Sequence, residues 1–191
     1  MSRIFALLVA LACFFLVSCQ KSADIDLLSY QKLGLYADVL YTIDGESYQV
    51  KLTLAAPEYD EDGRMLARDA ELIIGDGSII SGVSFELEDG GAFVSSGVLR
   101  IPLEDDRMIS GLYDMLSVFC ISDDSFYESE ESEYNGYDCI HAVYCDSGAG
   151  NSDDRRVDLY IDKVNYLPLA VEAKLGERSI FAEIIEIRTD E

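Results

Sequence analysis

A chain of 191 residues with 37 acidic against 14 basic side chains carries a formal charge of −23. Such a surface repels polyanions, so nucleic acid and bare anionic lipid headgroups are excluded as partners; both need Lys and Arg clusters that this chain lacks. One histidine and no Cys-x-x-Cys leave no ligand set for a metal centre, and no cofactor is expected.

The N-terminus opens with Met1-Ser2-Arg3 and an apolar run from Ile4 to Val17, which stops at Ser18-Cys19-Gln20. A charged start, a greasy run and a small residue before the cut make a secretory signal. About fourteen apolar residues fall short of the roughly twenty that cross a hydrocarbon core, so a permanent transmembrane helix is the weaker reading. Leu16-Val17-Ser18-Cys19 resembles the lipobox of bacterial lipoproteins, in which the cysteine receives diacylglycerol. We therefore expect residues 1–18 as signal peptide, 19–26 as a short lipidated tether and 27–191 as a single domain, since about 170 mature residues bury one core. Loss of Arg3 takes the charge from −23 to −24. Lipid on Cys19 would hold the domain on the extracytoplasmic face of the cell membrane, or at the outer membrane in a Gram-negative organism.

Strands follow. Ala37, Val39, Tyr41 and Ile43 alternate with Asp38, Leu40 and Thr42, and Tyr48, Val50, Leu52 and Leu54 alternate with Gln49, Lys51 and Thr53. Asp44-Gly45 between them signals a hairpin. Pro57 to Gly63 reads as an acidic turn. Ala70–Ile74, Ser78–Leu87 and Ala92–Leu103 supply three more strands, punctuated by Gly75-Asp76-Gly77 and Asp89-Gly90-Gly91.

One helix is predicted over Arg107–Ile121, where Met108, Leu112, Met115, Leu116 and Phe119 recur at three- and four-residue spacing behind Asp105 and Asp106. Ser122–Glu133, with six acids in twelve residues, reads as a solvated loop. Strands resume at Tyr137–Cys145, and a loose turn is expected over Asp146–Asp154. Val157–Asp162, Leu169–Leu175 and Ile180–Ile187 close the chain, the last two joined at Gly176-Glu177. The fold class is α+β, mainly β. Eight or so antiparallel strands and one helix cover their apolar surface most economically as a curved sheet, an incomplete barrel, wrapped around the helix.

This order of elements resembles the LolA/LolB/LppX-like lipoprotein superfamily. The resemblance rests on four features: the Asp44-Gly45 hairpin, the strand ending Leu54-Ala55-Ala56-Pro57, the mid-chain helix, and Val157-Asp158-Leu159-Tyr160-Ile161-Asp162 followed by Leu167-Pro168-Leu169 and two strands. It covers most of Leu35 to Arg188 as a pattern without a fingerprint residue. In length, lipobox and element order the chain is similar to short clostridial germination lipoproteins of the GerS type. The resemblance implies a half-barrel that holds an apolar ligand or docks a cell-envelope protein, in a process related to germination or the cell wall. The absence of tryptophan and the scarcity of bases depart from the pattern and argue against ferrying lipoproteins.

Candidate chemistry is sparse. Phe85, Phe93, Tyr113, Leu116, Phe119, Tyr160 and Phe181 sit in periodic elements and could line an acyl cavity, though such residues more often fill a solid core. Glu58, Asp60, Asp62 and Asp69 have roughly the spacing of a calcium loop. Glu at the first ligand position and Asp at the last favour an acidic turn instead. Cys139 and His141 share a strand face, but their β-carbons would stand roughly 7 Å apart and no third group orients them. A half-buried structural histidine is the plainer reading. Cys139 and Cys145 on one strand lie roughly 20 Å apart, too far for a disulfide. Cys120 could bond one of them, or all three stay free. No Gly-x-Ser-x-Gly, His-Glu-x-x-His or phosphate loop occurs, and no enzyme is expected. The alternative to ligand holding is a structural lipoprotein that forms homodimers through sheet edges.

Overall fold

The computed structural model describes residues 26–59, 68–76, 78, 80–88, 90–145 and 155–190. Its eleven strands are β1 (Leu35–Ile43), β2 (Glu46–Leu54), β3 (Ala70–Ile74), β4 (Ser84–Glu88), β5 (Gly91–Ser96), β6 (Leu99–Pro102), β7 (Phe126–Tyr134), β8 (Tyr137–Cys145), β9 (Arg155–Asp162), β10 (Pro168–Leu175) and β11 (Arg178–Thr189). They form one antiparallel sheet in the order β6-β5-β4-β3-β2-β1-β11-β10-β9-β8-β7. Each strand pairs with its neighbour in sequence except at two places. The ends of the chain meet where β1 pairs with β11. The chain also passes from one sheet edge, β6, to the other, β7, by way of helix α1 (Asp106–Ser117).

That passage explains the architecture. A helix linking opposite edges crosses the apolar face of the sheet, and α1 buries Leu112 and Leu116 there. The core cluster joins them to Val118, Phe119 and Ile121 after the helix, and to inward residues of β1, β2, β3, β4, β8, β9, β10 and β11. The sheet is thus curved around one helix and unclosed. Asp105 caps α1, its Oδ1 accepting from the N–H of Arg107 (2.9 Å) and of Met108 (3.2 Å). Two contacts fix the helix to the middle of the sheet. The Tyr41 hydroxyl on β1 donates to the Met115 carbonyl at 3.1 Å, and Arg178 on β11 pairs with Asp114 at 2.5 Å.

Four expectations need correction. Ser78–Leu87 is strand only from Ser84, because residues 80–82 form a turn with Gly82 at φ 79°. Ala92–Leu103 is two strands, broken where Gly97 turns the chain at φ 62°. Helix α1 stops at Ser117, four residues short of Ile121. Most consequentially, Ser122–Glu133 is no loop. After a 3-10 turn at Asp123–Ser125 the acidic stretch becomes the nine-residue edge strand β7. A strand solvated on both faces has no reason to alternate apolar and polar residues, so the pattern that marks half-buried strands is absent from it.

Candidate functional site

The concave face is the first place to look for a ligand, and the described residues on it pack closely together. Tyr30 from the N-terminal 3-10 turn (Ser29–Lys32) is 2% exposed, and Tyr41 from β1 and Phe119 beyond α1 are 0% exposed. They fill the space from three directions, among Leu35, Leu52, Leu72, Leu159, Ile161 and Ile180, none above 1% exposed. Burial pushes the Tyr30 and Tyr41 hydroxyls well above the usual tyrosine range. Among the described residues a cavity of about 30 Å³ lies beside Ile121, Ser125, Tyr144 and Val157, room for a water or two and too small for an acyl chain.

The lower end of the core is latched by groups that sequence patterning does not reveal. Gln31 is buried, its Oε1 accepting from the Ile121 N–H (3.2 Å) and its Nε2 donating to the Tyr30 hydroxyl (3.3 Å). Arg68 donates to the carbonyls of Ala55 (2.9 Å), Gln31 (3.2 Å) and Leu33 (2.8 Å). The segment nearest the expected tether is thereby fixed to the sheet.

The seven apolar candidates separate into different surroundings. Phe85, Leu116 and Phe119 come together in the core cluster. Tyr113 is exposed on α1. Phe93 lies on the outer face under the Arg100 guanidinium, 3.9 Å from its ring centre. Tyr160 and Phe181 are also on the outer face, in register with His141 and Glu172 respectively. Of the calcium-like set, Glu58 and Asp69 are exposed, whereas Asp60 and Asp62 lie outside the described residues, as does Cys19. Among the described residues no cluster of acids, His or Cys could hold a metal ion.

His141 is half-buried on the outer face. Its ring stacks on Tyr160 (4.7 Å between centres, 9° between planes), its Nε2 lies 2.9 Å from Asp158 and its Nδ1 3.6 Å from Glu130 on β7. Arg156 grips the same Asp158 carboxylate at 2.6 Å and 2.8 Å and, with help from His141, holds its pKa below the ordinary value. The histidine therefore ties β8 to β9 and touches β7. Burial raises the pKa of Cys139 and so disfavours its thiolate. Cys120, Cys139 and Cys145 are all free thiols.

Two outward features remain. A groove of about 560 Å³ runs over the outer face of β1, β2 and β11, where Tyr36, Asp38, Lys51, Thr53, Glu186 and Arg188 line it beside the bulge at Asp38/Val39. The second is the outer edge of β7. Hidden in the sequence as an acidic run, it could have been found from Asn135-Gly136, a hairpin turn dipeptide as strong as Asp44-Gly45.

No family model and no curated protein matches the chain. Among solved structures it is similar to MucB, with a TM-score of 0.50 and 17% identity, covering 90% of this chain and 60% of that one. It thus spans about 60% of the length of MucB. It is also similar to the Pseudomonas aeruginosa MucA/MucB complex (TM-score 0.43, 15% identity, 86% of this chain and 54% of that one). Mycobacterium tuberculosis lipoprotein LppX is a third (0.41, 15%, 88% and 100%). At such identities the likeness is one of fold, and the MucB match carries it. The incomplete barrel implied by the LolA/LolB/LppX resemblance is the fold observed. Among the described residues no helix is long and apolar enough to cross a membrane.

Proposed function

We propose that the chain is a lipid-anchored extracytoplasmic protein whose single domain, 27–191, has a non-catalytic binding role and docks a cell-envelope protein on its surface rather than enclosing an acyl chain. The closely packed concave face carries this reading. A lipid carrier needs hundreds of cubic ångströms of apolar volume, whereas here Tyr41 and Phe119, both 0% exposed, pack between sheet and helix, and the cavity among the described residues beside Tyr144 measures about 30 Å³. MucB, which shares the fold, also occurs in complex with a protein, MucA. A process in germination or the cell wall rests on the sequence resemblance to the clostridial lipoproteins.

Native mass spectrometry of the full-length lipoprotein tests the choice. The expected mass is the polypeptide plus its covalent acyl anchor; one non-covalent lipid per chain would overturn surface docking in favour of carriage. The anchor has its own test. A Cys19→Ala precursor should leave the membrane fraction once its signal peptide is cut by another route, and retention of that processed chain would mean that a second membrane or partner contact holds the protein.

A further inference from the structure

The docking reading names no surface, and β7 offers one. It is the last strand of the sheet, nine residues long, and no described strand pairs with its outer side. The phase of its hydrogen bonds follows from the turn. In a two-residue hairpin the flanking pair, here Tyr134↔Tyr137, is hydrogen-bonded, and alternate pairs then face outward. The N–H and C=O groups of Ser129, Glu131 and Glu133 therefore point away from the sheet and are open to a further strand.

The other edge is different. Strand β6 has four residues and ends at Pro102, which is how proteins blunt an edge against pairing. Strand β7 is long, and its one irregularity lies at its start, between Phe126 and Glu128, leaving Glu128 to Tyr134 in regular register. Along that regular stretch its protection is charge: Glu128, Glu130, Glu131 and Glu133 lie along it, and the Glu130 and Glu131 side chains are 75% and 87% exposed, although Lys163 reaches Glu131 at 3.1 Å. Charge of one sign repels a second copy, since β7 against β7 would bring together four glutamates from each chain. It attracts a strand of the opposite sign. Phe126 and Tyr127, both exposed at the start of β7, add apolar anchorage at one end.

Building on the docking reading, we propose that the outer edge of β7 binds an extended lysine- or arginine-rich segment of a partner protein by adding it to the sheet as a further strand. Backbone hydrogen bonds supply affinity and the glutamates select the partner's charge. Purely electrostatic attraction predicts binding without strand addition, and backbone chemistry separates the two.

The probe is a fluorescent peptide of alternating Lys and Val, about eight residues long, titrated by anisotropy against the full-length lipoprotein in non-ionic detergent at ~0.1 M salt. Methylating alternate backbone nitrogens of the peptide keeps its charge but removes donors, and should weaken binding about tenfold. Ser129→Pro keeps every charge on the protein while blocking the edge, and should cost about the same; Ser129→Ala should bind as the parent does. Equal binding of the methylated and unmethylated peptides would overturn the proposal, as would undiminished binding to a folded Ser129→Pro protein or β7-mediated self-association. If the peptide fails to bind at all, the edge proposal falls while the docking reading still stands or falls by the lipid mass measurement.

Discussion

Strands β1 and β2 are nine residues each and turn through Asp44-Gly45 at φ 50° and 88°; β7 and β8 are nine residues each and turn through Asn135-Gly136 at φ 50° and 82°. In both hairpins the residues flanking the turn pair directly, Ile43 with Glu46 and Tyr134 with Tyr137. Their surroundings then diverge. The first hairpin is enclosed by β11 and β3, and its inward residues Val39, Tyr41, Val50 and Leu52 are at most 1% exposed. In the second, β8 is covered by β9, but β7 has one neighbour and no buried residue. Turn chemistry makes the hairpin, and position in the sheet decides whether its strands carry an apolar stripe.

The comparison can be broken at equivalent places. Leu52→Ala removes a side chain from the enclosed hairpin and should cost about 2–5 kcal/mol in urea unfolding, whereas Glu131→Ala on the edge strand should stay within about 0.5 kcal/mol. Comparable losses at both would mean that β7 is packed against something. The turns sharpen it further. A Cβ on Gly45 or Gly136 meets no atom within 4 Å, so Gly45→Ala and Gly136→Ala each carry only the backbone cost of positive φ, about 1 kcal/mol. The first should lower the global unfolding midpoint, and the second should appear mainly as faster amide exchange in β7.

A smaller effect concerns the tie between β8 and β9. The Asp158 pKa is held below its unfolded value of 3.8 by Arg156, with His141 assisting. A carboxylate depressed in the folded state contributes stability that is full above its unfolded pKa and is lost as pH falls through the folded one. Acid titration of the parent should therefore show a loss of stability below about pH 3.8 that is reduced in Asp158→Asn, with the two proteins differing most above that pH. Parallel acid curves would show that Arg156 and His141 do not stabilise the folded state through this carboxylate.

The sequence made the enclosed half of the fold legible and left the open half obscure. Val39, Tyr41, Val50 and Leu52 alternate because β11 and β3 force one face inward, and Val157, Leu159 and Ile161 on β9 repeat that logic. Glu128 to Glu133 obey no such constraint, so composition reads them as loop, although Asn135-Gly136 announces a hairpin. Long-range latches were hidden for another reason. Arg68 reaching the Gln31 and Leu33 carbonyls, and Gln31 receiving the Ile121 N–H, join residues distant in sequence, where no periodicity operates. The aromatic candidates were divided by strand parity: Phe85 faces the core while Phe93, Tyr160 and Phe181 face out.

Amide hydrogen exchange on the full-length lipoprotein, with and without the Lys-Val peptide, tests surface docking at the open edge most directly. The expected result is slow exchange throughout β1 and β2 in both samples, with fast exchange at Ser129, Glu131 and Glu133 that slows when peptide is added. Unchanged exchange at those three amides, or protection appearing instead at Leu116 and Phe119 on the concave side, would contradict it.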